Sequence, residues 1–337
     1  MPRFGSLFAV GACAAIAIGC ASHAVPPTKS SVSRNAIPAP VETGSPGPHQ
    51  LFVADATSDS VIAFDWFANG DVTPEQDVQG PNTGLTAPQT VDIDQRSFVY
   101  VGDTGPTGPN IKVYAPDATG DAAPVRTITS SAMTDAPVGL ALDRARDIYV
   151  ASQTDGVLVF APGANGVVSP IRTIAGPDTG LSDVEAVALD AANNVFALDA
   201  AAQSISEFAA GANGDVTPIR TLAGANTGLA GAVDLRVNRS DVIYVSDGHE
   251  VLVFPASRSG NAKPLRSIQA IGWSTILGIQ IHDSNLEISA LADADGTPGL
   301  LDMSQGVKGQ VVPSRIISGP STGLGGLDRI KIHDLGG

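Results

Sequence analysis

Cysteine is almost missing from this 337-residue chain: there are two, Cys13 and Cys20, both within the first 20 residues. A disulfide framework is therefore excluded for everything that follows them. Charge is sparse at 16%, and 19 Lys and Arg stand against 34 Asp and Glu, for a net −15. That balance excludes nucleic acid and an anionic membrane surface as partners, because nothing here would neutralise phosphates. Aromatic residues make up only 5% of the chain. Long hydrophobic runs are lacking too. The longest useful one, Leu7–Ile18, has 12 residues, too few for the roughly 20 needed to span a bilayer as a helix. No segment beyond it keeps a helical period over the ten or so residues a helix would need. What the chain does have is 37 glycines and 24 prolines beside 43% hydrophobic residues, a turn-rich composition with ample material for a core.

The short apolar run follows Arg3 and fits the h-region of a signal peptide, residues 1–19. It ends Ala17-Ile18-Gly19-Cys20, which resembles a bacterial lipobox, where cleavage precedes a lipidated cysteine. Ala17 stands where that motif usually has leucine. Ordinary cleavage nearby, at Ala21 or Ala24, is the other reading. Lipidation would leave Cys20 as the sole thiol of the mature chain and anchor it without spanning the membrane. Residues 20–48 are rich in Pro, Ser and Ala and read as a tether. Arg3, Lys29 and Arg34 against Glu42 lie before residue 49, so residues 49–337 carry −17. The expected location is the bacterial cell envelope or the outside of the cell.

Self-comparison decides the fold. GANGVVSPIRTIAGPDTGL (163–181) recurs as GANGDVTPIRTLAGANTGL (211–229), with weaker copies at 69–85, 119–128, 259–268 and 311–324. Their prolines, Pro74, Pro124, Pro170, Pro218, Pro264 and Pro313, are 50, 46, 48, 46 and 49 residues apart. Each unit holds four short β-type runs bounded by Gly, Asn and Pro. The region opens on a second-type run, LFVAD (51–55), and closes on a surplus first-type run ending at His333. Pairing these two would close a ring and remove a sheet edge. The expectation is an all-β, six-bladed propeller of four-stranded blades over 49–337, present as a monomer.

The pattern GLALD (139–143), DIYVAS (147–152), GVLVF (156–160) and PIRTI (170–174) resembles NHL-type repeats and the gluconolactonase-like and strictosidine-synthase-like six-bladed propellers. The resemblance covers residues 50–337 and implies the fold. Its members range from lactonases to pure binding platforms, so function must come from the site.

Propeller geometry puts the fourth-to-first and second-to-third connections on one face, which is the expected ligand face. Second-type runs end there in Asp55, Asp103, Asp199 and Asp247, with Asp293 in the irregular last repeat and Ser152 in the third. Such a ring of carboxylates can hold a hard cation such as calcium, or each Asp can accept amides of its own turn. Four units share a 12-residue spacing from TGL to the end of the first-type run, which aligns a second column: Gln89, Glu185, Val233 and Asp328, with Val138 and Leu277 as equivalents in the two variant units. Polar residues break the repeat there. Glu185 and Asp328 belong to blades three apart and would face each other across the channel. The family resemblance implies a metal on Glu, Asn and Asp near this place, and only Glu185 and Asp328 carry over. His249, beside Glu250, is a candidate for acid–base work on the same face. His282 and His333 occupy turn positions on the opposite face and read as exposed. The leading expectation is a tethered platform binding a protein, glycan or small molecule. The alternative is a calcium-dependent lactonase or related hydrolase.

Overall fold

The computed structural model describes residues 50–282, 287–325 and 332–334. Signal peptide, tether, Cys20 and Asp328 lie outside the described residues. Six antiparallel blades follow in chain order, each of four strands counted from the inside outwards. Blade 1 takes its inner strand from the C-terminus: Ile332–Asp334 pairs with Gln50–Asp55, Phe52 opposite His333. Ser60–Asp65 and Gln76–Val78 complete it. The inner strands of the other blades are Pro88–Ile93, Pro137–Leu142, Val184–Leu189, Asp234–Val237 and Thr275–His282. Each inner strand touches the next, and Ile332–Asp334 touches both Thr275–His282 and Pro88–Ile93, so the ring is closed.

The core is divided among the blade interfaces. Six separate clusters of buried apolar residues occur, one between each neighbouring pair of blades. Every blade is thus covered on both faces, which is why its middle strands read as unbroken apolar runs such as VLVF. The third strands contribute a column of fully buried aromatics: Phe64, Tyr114, Phe160, Phe208 and Phe254. Burying one such side chain stabilises the fold by roughly 1.5–3 kcal/mol.

The strongest repeat signature, Asn-Gly-Asp before the PxR run, turns out to be a clasp on the outer wall. Its glycine pairs in parallel with the outer strand of the preceding blade: Gly120 with Val78, Gly166 with Ile128, Gly214 with Ile174, Gly260 with Leu222, Gly309 with Ile268 and Gly70 with Ile317. These bridges run around the whole ring. In blades 2 and 5 they lengthen into a fifth strand on the sheet. The residue before the glycine caps the same outer strand, as Asn213 does for the Thr173 amide at 3.0 Å. The residue after it reaches the next loop: Asp71 accepts Ser321 N, Asp121 accepts Asn82 N, Asp215 accepts Asp178 N and Asn261 accepts Asn226 N. Val167 and Gln310 hold this position at the two junctions whose loops lack TGL. The capping Asp or Asn and its TGL loop therefore come and go together, while the glycine bridge persists at every junction. Outer strands would otherwise present open edges, and the clasp covers them.

Candidate functional site

The carboxylates of the expected ligand face are engaged with backbone. Asp199 accepts Ala202 N of its own hairpin on Oδ1 and Ser182 N and Asp183 N of the preceding loop on Oδ2. Asp55 does the same with Thr57 N, Ser58 N and Gly325 N. Asp103 accepts Thr86 N at 2.8 Å and faces Lys112 at 2.5 Å with its other oxygen. Asp55 and Asp199, both fully buried, thus each staple two loops of their blade, while Asp103 ties one loop to the third strand. Blade 5 departs from the expected register. Its second strand ends at Ser246, so Asp247 lies one residue beyond and caps His249 N and Glu250 N. In blade 6, Asp293 accepts Gly296 N on Oδ1, while its buried Oδ2 has no partner.

Blade 3, with Ser152 in the column, solves the same problem from the loop. Asp155 accepts Ser152 Oγ, Thr134 Oγ1 and Thr134 N, each at 2.7 Å, and Asp135 N at 3.4 Å. Burial pushes its carboxyl up, but the hydrogen bonds from Thr134, Ser152 and Asp135 outweigh this and hold it below the usual carboxylate value.

The second predicted column has a structural definition. Gln89, Val138, Glu185 and Leu277 each fall where the register of the inner strand slips against the second, a β-bulge. Val233 in blade 5 precedes its strand and donates its amide to Ser246 O. Gln89, Glu185 and Leu277 are half-buried there, whereas Val138 is buried in the cluster between blades 3 and 4. Gln89 Nε2 bonds Ala87 O, and Glu185 Oε1 accepts Gln153 Nε2 at 2.7 Å. His249 Nδ1 lies 3.1 Å from Ser274 O, on the same face. Among the described residues no three His, Cys, Asp or Glu gather at metal-binding distance. Calcium takes about six to eight oxygens. Glu185 with an amide donor against it does not by itself fit that ion. His282 differs from its expected exposure. It is 1% exposed, its ring set edge-on to Trp66 with centroids 3.6 Å apart.

A group of concavities among the described residues opens on the opposite face, at the first-to-second turns. A channel space of about 170 Å³ is lined by Asp92, Leu140–Leu142, Val187–Leu189, Arg236, Val237 and Gln280. It shares Leu142, Leu189 and Val237 with a mouth of about 230 Å³. The mouth in turn shares Asp190 and Ala191 with a groove of about 540 Å³ between blades 4 and 5, floored by Glu207 and Arg220. The three spaces adjoin one another through these shared residues, from the axis towards the rim. Groove volumes of this order suit small polar ligands or chain ends.

Its polar residues are fixed by the inner strands. Strand edges facing a channel leave amides unpaired, and buried Asp side chains take them: Asp92 accepts Leu142 N from the next blade, and Asp234 accepts Ile279 N. Arg236 bonds Asp234, Leu235 O and Gln280 Oε1, which places a guanidinium against the channel wall. In the groove, Glu207 replaces the valine of GVLVF and pairs with Arg220. Blades 2 and 3 give that arginine a tyrosine hydroxyl instead, Tyr100 and Tyr149. Blade 4 has Phe196 there, so the carboxylate stands in for the lost hydroxyl. These residues escaped the sequence reading, although the signal existed. Two residues before each inner strand's terminal Asp, Asn or His stand Ala141 and Ala188, against Asp92, Arg236 and Gln280.

No known protein family matches the chain, and no curated protein matches it in sequence. Solved structures do match, 494 chains in all. One is a protein of unknown function from Bacteroides caccae, at a TM-score of 0.59 and 11% identity, over 85% of this chain and 99% of that one. At that identity the likeness shows the propeller fold.

Proposed function

We propose that this chain is an exported, lipid-tethered binding platform that grips a polar ligand in the cleft running from its channel to the groove between blades 4 and 5. The observation that carries the reading is the coincidence of cleft and repeat-breaking residues. Arg236 and Gln280 depart from the repeat and line the channel space, and Glu207, which also departs from it, lines the adjoining groove with Arg220. A guanidinium held by Asp234 and Gln280 stands at the channel wall in fixed geometry, the chemistry that recognises sugar hydroxyls, carboxylates or peptide carbonyls. The lipobox-like Ala17–Cys20 supports tethering.

The test is capture from native envelope extract by the immobilised chain, with retained glycans, peptides and small molecules identified by mass spectrometry. Ala192→Arg, which crowds the groove with a bulky side chain, is expected to abolish capture, and His249→Ala to leave it intact. The reverse pattern would move the site to the other face. The gluconolactonase-like resemblance keeps a hydrolase as the rival reading, with Glu185 as its described carboxylate. Calcium-stimulated lactone turnover lost in Glu185→Gln would replace the platform. Labelled palmitate should mark the wild type and not Cys20→Ala, and labelling that persists would remove the anchor.

A further inference from the structure

Blade 2 carries a buried group that no other blade has. Two residues before the third-strand aromatic, blades 1, 3 and 5 place Ile62, Leu158 and Leu252, and blade 4 places Ser206. Blade 2 places Lys112, 5% exposed. Four residues before that aromatic, Ser60, Gly156, Ser204 and Glu250 correspond to Asn110, which is 4% exposed. The fold does not need either residue, since its other blades do without them. Burying an ammonium costs free energy that an apolar side chain of similar volume avoids.

The three polar groups are locked together. Lys112 Nζ lies 2.6 Å from Asn110 Oδ1 and 2.5 Å from Asp103 Oδ2. Asn110 Nδ2 donates to Gly108 O at 3.1 Å, which fixes the amide with its carbonyl towards the amine. Asp103, fully buried, is held by Thr86 N on its other oxygen. A carbonyl bond is about 1.2 Å, so Asn110 Cγ lies within about 4 Å of Nζ, close to the roughly 3–3.5 Å of a near-attack geometry.

We propose that Lys112 and Asn110 join in an intramolecular amide bond, with Asp103 moving the protons. Asp103 takes one proton from the Lys112 ammonium, and the freed Nζ lone pair attacks Asn110 Cγ. The Nζ–Cγ bond forms and the Cγ–Nδ2 bond breaks. Asp103 returns its proton to the departing Nδ2, and Nζ gives up a second. Nitrogen leaves as ammonium, so ammonium and amide become secondary amide and ammonium with no oxidant or co-reactant. Water is excluded from the site, which keeps the amine a nucleophile and protects the product.

Peptide mapping by mass spectrometry on the denatured full-length chain tests this. The expected result is that trypsin leaves Lys112 uncut and that peptide 97–126 is lighter than its sequence by one ammonia. Lys112→Met, Asp103→Ser and Asn110→Ser are each expected to abolish the deficit, with circular dichroism checking that the fold persists. Serine is what blades 3, 1 and 4 use at these places, so the last two variants keep a natural solution. Cleavage after Lys112 at full mass would overturn the proposal. A deficit that survives in Lys112→Met would be a succinimide of Asn110 and would overturn it as well. A deficit of one water would make Asp103 the acyl partner, against the assignment.

Discussion

A buried carboxylate that collects amides from two loops is the recurrent residue of this propeller. Asp199→Ala would strand the amides of Ser182, Asp183 and Ala202. Unsatisfied buried donors cost about 1–3 kcal/mol, so a fall in denaturant midpoint with an unchanged slope is expected in urea unfolding. Asp155 adds a pH signature. Its carboxyl is held below the usual value in the folded state. Its contribution is therefore present above the unfolded-state pKa of about 4 and is lost as pH falls through the lower folded value. Asp155→Asn should be less stable than wild type near neutrality, with the gap closing in acid. A gap independent of pH would contradict this. The Asp column was legible because it recurs at one spacing. Asp155 was not, because it enters from a loop of different length to do the work of a strand residue.

Strands in this protein are stabilised by what their neighbours place against them. Phe160→Ala empties a fully buried position in the cluster between blades 2 and 3. Such truncations cost about 3–5 kcal/mol, measurable as a large drop in melting temperature. The clasp offers a backbone test. Gly176 has φ +129°, and a Cβ there would stand 2.4 Å from Asp215 Cγ. Gly176→Ala should destabilise by roughly 1–3 kcal/mol. Adding Asp215→Gly should recover only the part due to the clash. Full recovery would mean that the backbone conformation costs nothing. The elements themselves were plain in the sequence, since alternation and Gly-Pro punctuation mark each strand. The clasp was visible only as a repeated string. Parallel pairing between residues about 40 positions apart, such as Ile174 and Gly214, appears once the ring has formed.

The whole molecule is a closed cycle of interfaces. Removing residues 326–337 deletes the strand Ile332–Asp334, which supplies blade 1 with its inner edge. The truncated chain should expose a sheet edge, lose cooperative unfolding and become protease-sensitive at blade 1. A single sharp transition at the wild-type temperature would show that closure contributes nothing. The site divides in the same way. On the expected ligand face Asp55, Asp103 and Asp199 are bonded to loop amides, whereas the concavities lined by Arg236, Gln280 and Glu207 open at the opposite mouth. The broken-repeat logic that picked out Gln89 and Glu185 applies equally to Asp92, Arg236 and Gln280, but only the packed inner strands show that the second set lines a channel space.

Scarcity of cysteine, an acidic balance and a period near 50 residues determined by themselves that this is an all-β ring without disulfides and that it closes through its termini. Those are properties of local pattern, and a repeat states them six times. Which face is hollow, and which residues share a space, depends on side chains meeting between blades that the sequence keeps far apart. Lys112 with Asp103, Arg236 with Gln280, and Glu207 with Arg220 are such meetings. Only the packed ring, where low polarity makes each of them consequential, brings them together.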